Sequence, residues 1–335
     1  MATIYDVARH ADVSVATVSR VLNGGSVDPV LARRVTEAVA ALRYRPNLVA
    51  RNLRTRRTRL WAVIIADVRN PFFTDMVRGI EDVASAEGYS VVLCNSDEDE
   101  TKEADYIDVA LAERMAGVIL SPSSSRTEHV DSLVSAGCPV VLVDRELDGV
   151  RADAVLADNE QGAYVATRHL VEQGFERIAC VTGPEEYSTA AQRLSGYRAA
   201  LIEAGRDVDE SLVRFADFRE PGGRAAMESF LECPQRPDAV FSANNLMTLG
   251  VLRCLADHGL SVPDEVGVVG FDDLPWAELV RPTVTTVGRS TYDEGRVAAE
   301  ALVRRIADPN AEPERKVLPT RLKVRESSVR TSTER

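Results

Sequence analysis

Aromatic residues make up only 5% of this chain of 335 residues, and it holds just five cysteines and four histidines. The cysteines (Cys94, Cys138, Cys180, Cys233, Cys254) lie far apart, with no C-x-x-C pair and no cysteine–histidine spacing of a zinc site. They read as buried thiols. The histidines (His10, His129, His169, His258) fall on helical patterns with no nucleophile or metal partner nearby in the sequence, and read as surface residues. No G-x-G-x-x-G follows a strand pattern and no G-x-x-x-x-G-K-[ST] occurs, which speaks against a dehydrogenase or a kinase and calls for no cofactor. Long hydrophobic runs are also missing: none approaches the roughly 20 residues of a membrane span, and no charged-then-apolar leader precedes the first helix. The expected compartment is the cytoplasm.

Charge is present but unevenly distributed. The whole chain carries −12 at neutral pH. Residues 1–59 contain eleven arginines, no lysine and four acidic residues, giving +7, so residues 60–335 carry −19. An isolated basic end on an acidic body points to nucleic acid at that end alone, because arginine neutralises phosphate while the body is repelled by it.

That basic end opens on two short helices. Thr3 can cap the first, with Asp6 completing a capping-box-like pattern, and Ile4, Val7, Ala8 and Ala11 share one helical face. Asp12-Val13 is long enough only for a turn, in which Asp tolerates a left-handed backbone; Ser14 then caps a second helix whose Val18, Val21 and Leu22 face inward. A third helix after Asp28-Pro29 supplies Leu31, Val35, Ala38, Val39 and Leu42. The outer face of the second helix carries Ser14, Ala16, Thr17, Ser19 and Arg20, small and hydrogen-bonding residues that fit a DNA major groove. This is a helix-turn-helix pattern; the alternative is a three-helix bundle that only packs on the next domain. The run RYRPNLVARNLRTRRTR follows. Its proline ends the third helix, Asn47 can cap a helix over 48–53, and a helix so short needs a partner to hold it. DNA is one such partner, with Leu53 as an apolar wedge among Arg51, Arg54, Arg56, Arg57 and Arg59. A solvated basic linker is the other reading.

From Leu60 onward, apolar β-branched runs alternate with helical patterns. Strands are expected at 61–66, 91–94, 118–120, 140–143, 178–181, 239–241 and 266–269, with helices at 71–87, 160–173, 189–204 and 245–258. Continuous apolar strands joined by helical crossovers imply parallel sheets covered on both faces, and about 270 residues imply two doubly wound halves. Ligands of such sheets bind beyond the carboxyl ends of the strands, here between the halves. The strand ends carry Asp67, Asn70, Phe72 and Phe73; Asp144 and Arg145; Asp158 and Asn159; Asn244 and Asn245; Asp272 and Asp273, with Arg193 on a helix after Gly183-Pro184. Carboxylates, amides and arginine suit the hydroxyls of a sugar-like solute, and phenyl faces suit its apolar side. Each residue alone reads equally as a helix cap or core.

TIYDVARHADVSVATVSRVLNG, YRPNLVARNLR, NPFF, DAVFSANNLMTLG and VGFDDLP, in this order along the chain, resemble the successive signatures of the LacI-type (lactose/galactose repressor) family of bacterial transcription regulators. The resemblance implies an α/β protein with a helix-turn-helix domain (1–46), a hinge helix and linker (47–59) and a periplasmic-binding-protein-like effector-binding and dimerisation core (60–335). The core would have one lobe of about 60–158 plus 288–316 and a second of about 159–287 plus 317–330. It implies a homodimeric repressor on palindromic double-stranded operator DNA, nucleoid-associated when bound, with a sugar-like effector and no enzymatic activity. Val15 and Ala16 would read bases with Arg20 behind them; Tyr5, Ser14, Thr17 and Asn23 would hold phosphates; Asn47, Ala50, Leu53 and Arg54 would serve the hinge, Leu53 in the minor groove. Effector would meet Phe72, Phe73, Asp144, Arg145, Arg193, Phe218, Asn244 and Asp272. An Arg after the strand-end Asp144 resembles sugar-binding members more than purine-binding ones. The chain departs from the pattern at Asp12, where the turn has Gly, and at Asn245, where the family has Asp, and it lacks a heptad tail, so a dimer is expected. The rival readings are an α/β solute-binding protein or a sugar-modifying enzyme.

Overall fold

The computed structural model describes residues 2–22, 25–44, 58–273 and 275–330. The chain divides into two compact units, Met1–Thr58 and Arg59–Arg335.

The first unit contains helices α1 (Ile4–Ala11), α2 (Val15–Leu22) and α3 (Pro29–Ala41). Its start is a complete capping box: the Asp6 amide donates to the Thr3 hydroxyl at 3.3 Å and the Thr3 amide to the Asp6 carboxylate at 2.9 Å. The turn is made by Asp12 in the left-handed region (φ 48, ψ 55), whose N–H closes α1 on the carbonyls of Ala8 and Arg9. Arg34 on α3 holds that turn from outside, donating to the Asp12 carbonyl at 3.2 Å and carboxylate at 3.0 Å. Ser14 accepts from the Thr17 amide at 3.1 Å, and Asp28 accepts from Val30 and Leu31 ahead of α3. One core of Val7, Ala8, Ala11, Val18, Val35 and Ala38 joins the three helices.

The second unit has two six-stranded sheets. The first lobe orders its strands β11-β5-β4-β3-β1-β2, all parallel: β1 (Leu60–Ile65), β2 (Ser90–Asn95), β3 (Gly117–Leu120), β4 (Val140–Val143), β5 (Asp153–Ala157) and β11 (Arg315–Leu318). The second orders β12-β10-β9-β8-β6-β7: β6 (Ile178–Thr182), β7 (Val213–Phe215), β8 (Ala239–Ser242), β9 (Gly267–Phe271), β10 (Thr285–Gly288) and β12 (Arg321–Lys323). Here the all-parallel expectation needs a correction, because β12 pairs antiparallel with β10 at the edge. The central strands β1, β3, β4, β6, β8 and β9 are buried almost throughout, as strands covered on both faces must be. Helices α4 (Pro71–Ala86), α5 (Glu100–Ala112), α6 (Glu128–Ser135) and α11 (Thr291–Ala307) belong to the first lobe. Helices α7 (Asn159–Glu172), α8 (Ser188–Glu203), α9 (Glu220–Leu231) and α10 (Asn245–Asp257) belong to the second.

The chain passes between lobes three times: at Asp158 after β5, at Arg289 after β10, and at 319–320 between β11 and β12. Gly288 therefore lies in the second lobe's sheet, and Val317 and Leu318 in the first lobe's, one or two residues from the expected bounds. His169 is not a surface residue: it is 8% exposed, with Nε2 2.7 Å from the Ser328 hydroxyl, and burial holds its pKa below the usual value. Cys94, Cys180 and Cys254 are buried, whereas Cys138 and Cys233 are only half-buried.

Substitutions at the left-handed turn test the first unit. Asp12→Gly relieves backbone strain but loses the exposed Arg34 pair and loosens the unfolded chain, so stability should stay within about 1 kcal/mol. Asp12→Val, with a β-branched side chain at positive φ, should cost about 2 kcal/mol. Amide hydrogen exchange across α1 to α3 in the full chain reads both.

Candidate ligand-binding cleft

The two sheets share a winding rule. In each, the order reverses beside the first strand, between β1 and β3 in one lobe and between β6 and β8 in the other, so loops part there and leave a crevice at the carboxyl ends. A cavity of about 30 Å³ lies between these ends. All eight residues Phe72, Phe73, Asp144, Arg145, Arg193, Phe218, Asn244 and Asp272 line it. Their placement comes from local folding. Asn70 caps α4, accepting from the Phe72 amide at 3.0 Å, and so turns Phe72 and Phe73 into the cleft; Asn244 caps α10, accepting from the Met247 amide at 2.8 Å. Asp144 (φ 63), Phe218 (φ 58) and Asp272 (φ 66) are left-handed at the ends of β4, β7 and β9, a conformation kept only where the surroundings impose it. The Phe218 ring lies over Gly183, where a Cβ would stand 2.0 Å from it.

The lining also includes Asp67, Asn70, Glu98, Thr189, Asp217, Arg219 and Leu246. Asp67 and Asn70 stood out as strand-end residues. Glu98 was missed although it follows β2 in the polar run Asn95 to Asp99, the same strand-end signal. Asp217 and Arg219 follow β7, three residues long with one exposed, which gives no strand pattern to read.

Three guanidiniums organise the interior. Arg145 grips Glu98 bidentately at 2.7 Å through each Nη, donates to the Pro122 carbonyl at 2.8 Å and stacks on Tyr187 at 4.0 Å; its buried Nε has no hydrogen-bond partner. Arg193 donates to Asn159 Oδ1 at 2.9 Å and the Ala243 carbonyl at 2.5 Å, lies 3.8 Å from Asp272 and stacks on Phe271 at 3.9 Å. Burial pushes its pKa down to about 10 against the pull of Asp272, which leaves it charged at neutral pH. Arg289, unanticipated from sequence, joins the lobes: it donates to Asp144 at 2.8 Å and Asp272 at 3.1 Å, lies 3.2 Å from Glu294, and stacks on Phe72 at 4.3 Å. Burial alone would raise the pKa of Asp144, but Arg289, Arg145 and Arg193 hold it below the usual carboxylate value. Other ties cross the cleft: Asn245 Nδ2 donates to Asn70 Oδ1 at 2.8 Å, the Tyr187 hydroxyl to the Ser123 carbonyl at 2.9 Å, and Arg219 to the Asp97 carbonyl at 2.8 Å. The arrangement offers carboxylates, guanidiniums and phenyl faces to a polar solute.

In the first unit, Tyr5 is 67% exposed and Ser14, Ala16 and Arg20 are exposed, while Thr17 is half-buried and Val15 packs partly against the three-helix core. Ser14 is engaged as the cap of α2, with its hydroxyl 2.9 Å from that of Thr17. Asn23, Asn47, Ala50, Leu53 and Arg54, with the expected hinge helix, lie outside the described residues.

The family model for periplasmic binding proteins and the sugar binding domain of the LacI family matches residues 59–326, and the model for bacterial regulatory proteins of the lacI family matches residues 3–47. The chain belongs to the LacI family. It is 37% identical to catabolite control protein A of Priestia megaterium over 328 residues, covering 97% of this chain and 99% of that protein. Among solved structures it is similar to a transcriptional regulator CelR–cellobiose complex, at 36% identity and TM-score 0.75, covering 98% of this chain and 100% of that one. It is also similar to the lac repressor dimer bound to operator and the anti-inducer ONPF, at 26% identity and TM-score 0.87, covering 98% and 99%. As a LacI-family member it is a DNA-binding transcriptional repressor with a sugar-binding-type core, and not an enzyme. No helix among the described residues is long and apolar enough to cross a membrane. The departure from the family pattern at Asn245 has a visible consequence: the amide donates across the cleft to Asn70, which a carboxylate at that position cannot do.

Glu294, fully buried at the start of α11, gives the core a pH signature. Burial, against the opposing charge of Arg289, pushes its pKa from 4.5 up to about 7. The folded protein thus keeps this proton to higher pH than the unfolded chain, so ionisation erodes stability between about pH 4.5 and pH 7 and the cost is constant above. Glu294→Gln should gain stability relative to the parent across that window, reaching on the order of 2–3 kcal/mol at pH 8. Urea unfolding of both proteins at pH 4.5, 6 and 8 measures it, and a difference independent of pH would contradict the assignment.

Proposed function

We propose that the chain acts as a homodimeric repressor of a palindromic operator, whose DNA affinity is set by a sugar-like effector in the interlobe cleft. The observation that carries this reading is the buried Arg289, which holds in a single guanidinium grip two aspartates that line the cavity, Asp144 of one lobe and Asp272 of the other. A polar solute that engages those carboxylates alters what binds the lobes together, and so biases their relative angle. Asp144, Asp272 and Asn244 accept or donate to hydroxyls, and Phe72, Phe73 and Phe218 take the apolar face of the ring. The Asp144-Arg145 pair and the likeness to the CelR–cellobiose complex support a saccharide over a purine.

At the other end, Val15 and Ala16 read base edges with Arg20 behind them, Tyr5, Ser14, Thr17 and Asn23 hold phosphates, and Asn47, Ala50, Leu53 and Arg54 serve a hinge segment, with Leu53 entering the minor groove. One copy binds weakly and two copies at fixed spacing bind well, so the angle of the core controls operator occupancy. The coupling is reciprocal: operator DNA must change effector affinity by the factor by which effector changes operator affinity, about 5- to 150-fold for ordinary allosteric coupling. Calorimetric titration of effector with and without operator measures that factor, and equal affinities would sink the proposal.

A further inference from the structure

The inner cavity does not end at Glu98 and Arg219. Beyond them a groove of about 420 Å³ opens at the cleft mouth, walled by Asp99, Pro184 and Tyr187 and by Glu98, Asp217 and Arg219, the last three shared with the inner cavity. We infer that this groove is a second saccharide subsite, so that the effector is a chain of at least two sugar rings carrying no anionic group. The inference rests on the effector reading above and extends it in two respects, length and charge.

The length argument is one of continuity and surface chemistry. The inner cavity is crowded by three phenylalanines and the buried Arg145 and Arg193, whereas the groove beyond the shared residues is open. The rings of Phe218, facing the inner cavity, and Tyr187, facing the groove, are near parallel, with centroids 6.2 Å apart and planes at 19°. Both rings are largely buried, with Arg145 stacked on each, so with Pro184 they offer a small apolar surface at the boundary, while Glu98, Asp217 and Arg219 offer hydrogen bonds at the position of a linkage between rings. The part that must yield is Arg219, which spans the mouth to the Asp97 carbonyl and carboxylate; both side chains are about a third exposed (33% and 35%), so the pair is solvent-screened and yields easily.

The charge argument is one of balance. Seven carboxylates line the cavity and groove together; Arg145, Arg193 and Arg219 face them from the lining, and Arg69, Lys102 and Arg289, outside it, pair with Asp67, Asp97, Asp144 and Asp272. Arg145 is occupied by Glu98 and Pro122, and Arg193 by Asn159, Ala243 and Asp272. Each of these six cations already pairs with a carboxylate, so a phosphate or carboxylate on the ligand must compete with one for it, at Arg219 with Asp97, whereas neutral hydroxyls can donate to the carboxylates.

Isothermal titration of the full chain with common hexoses and pentoses, their 1,2- to 1,6-linked disaccharides and the corresponding sugar phosphates tests both parts. The expected result is at least one neutral disaccharide binding tenfold or more tighter than either of its single rings, with phosphorylated forms weaker by a similar factor. Pro184→Trp, which fills the groove without touching the inner cavity, should weaken the disaccharide at least tenfold and leave its monosaccharide within about twofold, an internal control for folding. Monosaccharides binding as tightly as disaccharides, a phosphorylated form binding best, or P184W weakening both lengths alike would overturn the subsite while leaving the effector reading standing. Binding of no saccharide of either length would overturn the effector reading and the subsite with it.

Discussion

The charge of Arg289 has no route to water. A guanidinium in that position costs several kcal/mol unless its donors are all met, and the partners that meet them come from three places: Asp144 in one lobe, Asp272 in the other, and Glu294 on the helix that Arg289 itself leads into. Much of the cleft follows from this requirement. Asp144 and Asp272 take up left-handed backbone where their strands end, and their carboxylates converge on that one cation. Phe72 sits under the same guanidinium and is thereby fixed as part of the wall. Arg193, beneath Asp272, completes a core in which charges of both signs are packed without solvent. Such a network is sensitive to anything polar that enters it, because one oxygen of each of Asp144 and Asp272 is held by Arg289 while the other is only loosely contacted and open to a new donor.

The two ends of the protein solve opposite electrostatic problems. The first unit is basic and small, and the exposed positions of α2 are Ala16 and Arg20, one small and one cationic, which suits the approach of a phosphate backbone. The second unit carries the acidic excess, which keeps it away from DNA and also shapes the cleft as a place for donors rather than anions. The same imbalance therefore serves two separate discriminations, between nucleic acid and the core, and between neutral and anionic ligands.

Much of the fold is legible in the sequence because parallel strands buried on both faces leave unbroken apolar runs, such as those of β1 and β4. The strands that escape are the edge strands β7, with Arg214 and the exposed Phe215, and β11, whose residues are largely exposed, together with β10, which is buried but whose threonines break the apolar run. The site follows the same logic. Asp144, Asn244 and Asp272 can be found because strand ends are where a doubly wound sheet presents its ligands. Arg289 and Glu294 cannot, because their meaning lies in partners 145 residues away for Arg289 and Asp144, a distance along the chain that periodicity does not carry. His169 shows the converse limit: a histidine on an amphipathic helix looks like surface until the carboxyl-terminal segment, through Ser328, closes over it.

The three passages between lobes, at Asp158, Arg289 and 319–320, bear on the kind of motion the core can make. A single tether leaves two bodies free to swivel, twist and slide. Three tethers cancel most of those freedoms and favour a bend over a swivel, like a door held by more than one pin. A ligand that closes such a door has little choice of direction, so whatever is attached to the moving leaf is displaced mainly along one path, and the response to different ligands varies more in how far it goes than in where.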